Sequence, residues 1–159
     1  MEYDVTIGLE VHCELKSTSK VFSPSPNAYS ENPNTNISVI DLAFPGILPI
    51  VNKEAIRKAL TVATALNCET PEYMIFDRKN YYYPDLPKGY QITQMHYPVG
   101  TNGYLDIYVE DKVKRIYIHD THLEEDTASL DHYDKYSLID YNRCGVPFLE
   151  TVTEPCMHS

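Results

Sequence analysis

No stretch of this sequence approaches the ~20 consecutive apolar residues that a membrane-spanning helix needs. The opening MEYDVTIG carries acids where a secretory signal would carry bases ahead of an apolar run, so no signal peptide is read there. The expected location is the cytoplasm, or an organelle matrix. Basic residues are scarce: 13 Lys and Arg stand against 23 Asp and Glu, for a net charge of −10. That shortage argues against a chain whose main business is gripping phosphate backbones through its overall field. It is compatible with divalent cations and, through them, with nucleotide phosphates. Paired cysteines are missing as well. Cys13, Cys68, Cys144 and Cys156 form no CxxC pair and point to buried thiols in a reduced compartment, not to a disulfide framework. There is no GxxxxGK[ST] and no GxGxxG, which excludes a P-loop or Rossmann nucleotide site, and no Gly-x-Ser-x-Gly to single out a serine nucleophile.

What is present is a folded core's worth of apolar residues, 43% of 159, enough for one domain or a large part of one. Residues 3–15 alternate as a strand does, which puts Glu10, His12 and Glu14 on one face and Leu9, Val11, Cys13 and Leu15 on the other. Residues 16–36 are rich in Ser, Pro and Asn and read as irregular backbone, longer than a passive loop of ~12–15 residues. A broken apolar segment follows at 37–50. Asn52 then stands at a helix cap, and Ala55, Ile56, Ala59, Leu60, Ala63 and Leu66 form one apolar stripe that Asn67 ends in a left-handed conformation. In 74–98 a strand end with three consecutive tyrosines runs into the rigid turn PDLPKG. Residues 103–110 and 113–126 read as an antiparallel hairpin turning at Asp111-Lys112, and 146–155 as a last strand. One good helix among four or more strands predicts an α+β fold with a mainly antiparallel sheet. The chain stops at Ser159 directly after a motif-like stretch, and it is expected to be a piece of a longer protein.

Acids and histidines collect in three places: Glu10 with His12, then His119, Asp120, His122, Glu124, Glu125 and Asp126, and finally Glu150. Hard cations favour oxygen ligands and tolerate histidine, so side chains from separate strands suit a divalent metal. A solvated polar face accounts for the same pattern. Residues two apart on a strand are roughly 6.6 Å apart, so Glu10 and His12 share one ion only by leaning together. Glu124 and Glu125 cannot both face inward on a regular strand; a bulge, or a role for only one, is expected. Arg78, Lys79 and Lys88 flank the tyrosine-rich turn and are candidates to hold phosphate charge opposite a metal.

Taken in order, YDVTIGLEVHCELKSTSKVF, ENPNTN, FPGILPIVN, FDRKNYYYPDLPKGYQITQ, IHDTHLEEDTASL and DYNRCGVPFLETVTEP closely resemble the N-terminal part of the B-subunit family of bacterial and organellar aspartyl/glutamyl-tRNA amidotransferases. The similarity runs over almost the whole chain, and residues 76–94 carry its most specific part. The resemblance implies that 1–159 is the N-terminal part of a catalytic domain folded as a glutamine synthetase-like cradle, with helical and tail domains lying beyond it. It implies a carbon–nitrogen ligase that uses ATP and Mg²⁺ (or Mn²⁺) to phosphorylate the side-chain carboxylate of Glu or Asp mischarged on tRNA. Ammonia from a partner amidase then displaces the phosphate. The amidase (A) and small (C) subunits of a heterotrimeric complex and the mischarged tRNA are the implied partners, with no membrane.

Residue by residue, the family's Gly-Leu-Glu-Val-His motif falls on Gly8 to His12 and makes Glu10 and His12 metal ligands. Its His-Leu-Glu-Glu-Asp motif falls on His122 to Asp126, with Glu124 and Glu125 at the metal, and its Leu-Glu motif on Glu150. Lys79 is the candidate for contacting the phosphates or the ammonia path, and with Glu125 makes the candidate catalytic pair. A non-catalytic scaffold of the same complex is the alternative, disfavoured by the presence of Glu10, His12, Glu124, Glu125 and Glu150 together. In one respect the chain departs from the family. Many members carry Phe-Cys-x-Cys and Cys-Pro-x-Cys in the 16–42 region, where this chain has Ser23, Ser25, Ser38 and Asp41. Without thiolates no structural zinc is expected, and the loop is expected to be more mobile for want of that staple, unless subunit contacts order it.

Overall fold

The computed structural model describes residues 3–158. Among them are eight strands and one helix: β1 (Glu10–Glu14), α1 (Lys53–Ala65), β2 (Ile75–Asn80), β3 (Tyr90–Tyr97), β4 (Gly100–Val109), β5 (Lys112–Glu125), β6 (Ser129–His132), β7 (Ser137–Asp140) and β8 (Pro147–Thr153). Four form an antiparallel sheet in the order β1-β8-β5-β4, while β2–β3 and β6–β7 are separate antiparallel pairs. The α+β expectation holds. Alternation does not reveal the two smaller hairpins, because β6 and β7 are four residues each and β2 is interrupted near Asp77, which takes the Met95 amide at 2.7 Å.

Local chemistry explains the helix. Asn52 caps it by accepting the Glu54 amide at 2.8 Å, and its Nδ2 donates to the Ser19 and Lys20 carbonyls, so the cap also ties down the preceding loop. Asn67 ends the segment with φ +54°, as its type and position lead one to expect. Only the alanines of the stripe, Ala55, Ala59 and Ala63, are fully buried, whereas Leu60 is 36% exposed. An alanine face brings backbones close, and β4 answers with glycine. A Cβ at Gly100 would meet Cys68 Cβ at 2.7 Å, and one at Gly103 would meet the Leu66 carbonyl at 2.6 Å.

The β4–β5 turn falls on Glu110 and Asp111, one residue earlier than expected, because Lys112 already pairs with Val109. Both turn residues have positive φ, 47° and 62°, the sense that matches strand twist in a two-residue hairpin. At the other side of the sheet β1 is an edge strand. It is held by β8 and by an isolated bridge between Ile7 and Met157, and its apolar side remains open, with Leu9 49% and Val11 53% exposed. The core gathers Leu15, Phe22, Ala59, Ile92, Leu123 and Leu149, with Phe22 set edge-on to Phe76 at 5.3 Å between ring centres.

The loop between β1 and α1 is not loose, and the reason lies at the four positions that lack thiols. Asp41 accepts from Ser23 Oγ at 2.7 Å and from Ser38 Oγ at 3.0 Å and N at 2.8 Å, and it also hydrogen-bonds Ser25. Lys20, wholly buried, brings Nζ to 3.8 Å from the same carboxylate and donates to the Tyr141 carbonyl at 3.3 Å. Burial lowers the Lys20 pKa, partly offset by Asp41. One carboxylate with four hydrogen-bond donors around it thus staples residues 20–25 to 38–41. A second tie joins the loop to β7, where Asp140 takes the Asn34 amide at 2.9 Å. Charge-assisted hydrogen bonds thus stand at the positions where the family has thiolates.

Candidate metal centre

Strand register assembles the site. His12 on β1 lies directly opposite Glu150 on β8, and Glu150 lies directly opposite His122 on β5. Alternation then places Glu10 with His12, and Asp120 and Glu124 with His122, on the same face of the sheet. His12 Nε2 stands 3.3 Å from Glu124 Oε1 and 3.3 Å from Glu150 Oε2. One ligand atom from each of His12, Glu124 and Glu150 lies within 4.8 Å of the others. Phe148 forms a wall beside His12, with ring centres 6.0 Å apart.

The electrostatics are those of a site short of positive charge. Glu124, 7% exposed at its side chain, is pushed up in pKa by burial and by Glu150, with His122, His12 and Lys79 pulling the other way. His122 is 14% exposed, and its Nδ1 is 2.7 Å from Asp120 Oδ1. Burial works against its charged form, but the bond to Asp120 and the charges of Asp120, Glu150 and Glu124 outweigh it and raise its pKa. Two carboxylates and one imidazole converging on one space form a donor set that suits a divalent cation.

Of the residues singled out in the sequence, the structure brings Glu10, His12, Lys79, Glu124 and Glu150 around one cleft of about 380 Å³. Lys79 arrives there because β3 is fastened along β5: Gln91 Nε2 donates to the Glu125 carbonyl at 2.7 Å, and Gln94 accepts the Leu123 amide at 2.9 Å. Gln91 is the register partner of Lys79. Glu125 borders the cleft, but its carboxylate is taken up by Lys88 Nζ at 2.8 Å and by the Ile92 amide at 2.9 Å. Burial raises the Glu125 pKa, and Lys88 with the Ile92 amide offsets part of it. Lys88 and Glu125 line a second cavity of about 250 Å³ with Asp41 and Cys144, where burial pushes the Cys144 thiol up to about 12. Arg78 is apart from both, its guanidinium 4.5 Å over the Tyr90 ring. Glu14 is exposed.

In the sequence His122 and Asp120 are visible as members of a cluster but not as members of the site. A signal for them exists, since Asp120, His122 and Glu124 repeat the every-second-residue spacing that marks Glu10 and His12.

The fold and this cluster define a class: an α+β domain that displays histidine and carboxylate side chains from three antiparallel strands on one sheet face. Comparison with known sequences gives the particular one. A family model described as the GatB/GatE catalytic domain matches residues 5–159, and the chain belongs to that family. It is similar to the B subunit of the aspartyl/glutamyl-tRNA(Asn/Gln) amidotransferase of Staphylococcus aureus strains JH9, Newman and USA300 / TCH1516. Each is 53% identical over 159 residues, covering 100% of this chain and 34% of the relative. The chain thus spans about a third of the length of the curated relatives it matches. No helix among the described residues is long and apolar enough to cross a membrane.

Proposed function

We propose that this chain carries the carboxylate-activation site of a tRNA-dependent amidotransferase. The reaction is ATP-dependent phosphorylation of the side-chain carboxylate of Glu or Asp attached to tRNA, followed by displacement with ammonia to give the amide. The observation that supports it most directly is the convergence of His12, Glu124 and Glu150 from three strands at a cleft that Lys79 also lines.

Phosphoryl transfer to a carboxylate brings two anions together, so the site must hold positive charge and align the attack. His12, Glu124 and Glu150 would hold a divalent cation, with Glu10 at the rim, and Mg²⁺ or Mn²⁺ there would neutralise phosphate oxygens. Lys79 supplies a cation whose charge reaches Glu124, and at the cleft lining it is placed to hold a phosphate or the substrate carboxylate. An acyl phosphate would hydrolyse if water entered freely, so the reaction calls for a shielded cleft; Phe148 supplies one wall beside His12. The rest of the reading follows the family: a glutamine synthetase-like cradle of which 1–159 is the N-terminal part, the amidase (A) and small (C) subunits as partners, and the acylated tRNA as the substrate. The test is a titration of the 159-residue chain with Mn²⁺, with and without ATP, alongside Glu124→Ala. Stoichiometric binding that tightens with ATP and is lost in the variant is expected; equal weak binding by both proteins overturns the reading.

A further inference from the structure

Glu150 depends on neighbouring imidazoles for its orientation. It projects from β8 between β1 and β5, and its only ion-pair contacts among the described residues are the two imidazoles that flank it. His12 Nε2 lies 3.3 Å from its Oε2 and His122 Nε2 3.2 Å from the same atom. A glutamate side chain has three rotatable bonds, and holding them in one arrangement has to be offset by the contacts it makes.

We propose that His122, itself held by Asp120, is a positioning residue for this centre: it keeps the Glu150 carboxylate turned towards His12 and Glu124. The proposal rests on reading the cluster as a cation site. Three observations carry it. First, the register leaves His122 no other place, since it stands directly across the ladder from Glu150. Second, its ring cannot swing freely, because Asp120 Oδ1 holds Nδ1 at 2.7 Å. Third, the two imidazoles are not equivalent. His12 sits on an edge strand with 46% of its side chain exposed, whereas His122 is 14% exposed on an inner strand. The exposed imidazole is placed to meet an incoming ion, and the buried one forms the fixed back wall. Its Nε2 is 4.0 Å from Glu124 Oε2, further than from Glu150, so its hold is chiefly on Glu150. Partners behind metal ligands orient them in this way, and losing one typically weakens binding ~10–100-fold.

The test measures Mn²⁺ affinity by calorimetry for the wild-type 159-residue chain, His122→Leu, His122→Gln and Asp120→Asn. Melting temperatures are taken separately in EDTA. We expect His122→Leu and Asp120→Asn to weaken Mn²⁺ binding by ~10–100-fold, a larger loss than any fall in the EDTA melting temperature accounts for. His122→Gln, which keeps an N–H within reach of Glu150, should recover part of the affinity. Wild-type affinity within twofold in both His122→Leu and Asp120→Asn overturns the positioning role while leaving the cation site standing. A loss of affinity that only tracks a loss of melting temperature also overturns it. Absence of Mn²⁺ binding by the wild type overturns both readings. Should His122→Leu fail to fold, Asp120→Asn alone decides, because it leaves the ring in place and removes only the charge that holds it.

Discussion

Glu124 and Glu125 are neighbours in the chain, yet their carboxylates serve opposite sides of β5. Glu124 meets His12 at 3.3 Å in the open cleft, and Glu125 meets Lys88 at 2.8 Å in the interior. Strand alternation turns one Glu-Glu pair into a polar site residue and a buried ion pair, and substitutions will separate the two roles.

Lys88→Met should be strongly destabilising. It leaves the Glu125 carboxylate, 2% exposed, without its cation, and stranding a buried charge typically costs ~3–5 kcal/mol. For a domain of this size that corresponds to a fall of roughly 10 °C in melting temperature. Lys88→Met with Glu125→Leu should recover much of it. A single variant that melts within 2 °C of the wild type, on the scale of about 1 kcal/mol or less, would show that the pair is not a structural anchor.

Glu124 should show the opposite sign at neutral pH. Its pKa is raised by burial and by Glu150, so the folded state binds its proton more tightly than the unfolded state does. Stability is then fully present below the unfolded carboxylate pKa and declines as pH rises towards the folded value. In EDTA, Glu124→Gln should therefore melt above the wild type at pH 7, and the gap should close as pH falls towards 4.5. Equal melting curves across that range would remove the claim that the metal-free site is electrostatically strained.

Asp41 organises the loop between β1 and α1, so Asp41→Asn should unfold it in part. The variant leaves Lys20 buried beside a neutral amide, at a cost of about 3–5 kcal/mol in a denaturant titration. Lys20→Met combined with Asp41→Asn should be less destabilised than the sum of the single changes, because the two groups share one network. Elemental analysis should find no stoichiometric zinc in the wild type. One zinc per chain would mean that the Ser23, Ser25, Ser38 and Asp41 cluster is organised otherwise.

Gly103→Ala tests the packing of the helix end on β4. An added methyl would press on the Leu66 carbonyl at 2.6 Å, and overpacking of that kind costs typically ~1–3 kcal/mol. The metal affinity of the cleft should be unchanged, since the clash lies on the other side of the sheet.

Some of the candidate site is legible in the sequence through local rules, while the ligand roles of Glu124, Glu125 and Glu150 come through the family resemblance. Glu10 and His12 alternate on a strand, and Asn52 and Asn67 bracket a helix by their own side-chain chemistry. What no local pattern specifies is which residue faces which across the ladder. The opposition of His12, Glu150 and His122 depends on the pairing of β8 with β1, more than a hundred residues away in the chain, and with β5. Lys88 stays out of the cleft for a related reason. Its proximity to Lys79 in the chain says nothing about β3 turning it inward to Glu125. The Asp41 staple is equally hidden, because serine reads as loop composition and only the fold shows three serines converging on one carboxylate.

The edge position of β1 has a consequence for how the centre responds to its surroundings. His12 sits on an edge strand, paired among the described residues with β8 and flanked by the Ile7–Met157 bridge. Whatever peels β1 away removes His12 while leaving Glu124 and Glu150 on the inner strands. Cation affinity therefore includes the free energy of keeping that strand docked, through local unfolding. By linkage, an ion that binds only the docked form lowers the population of the opened edge. The amides of residues 10–14 should then be where occupancy of the site is written in hydrogen exchange.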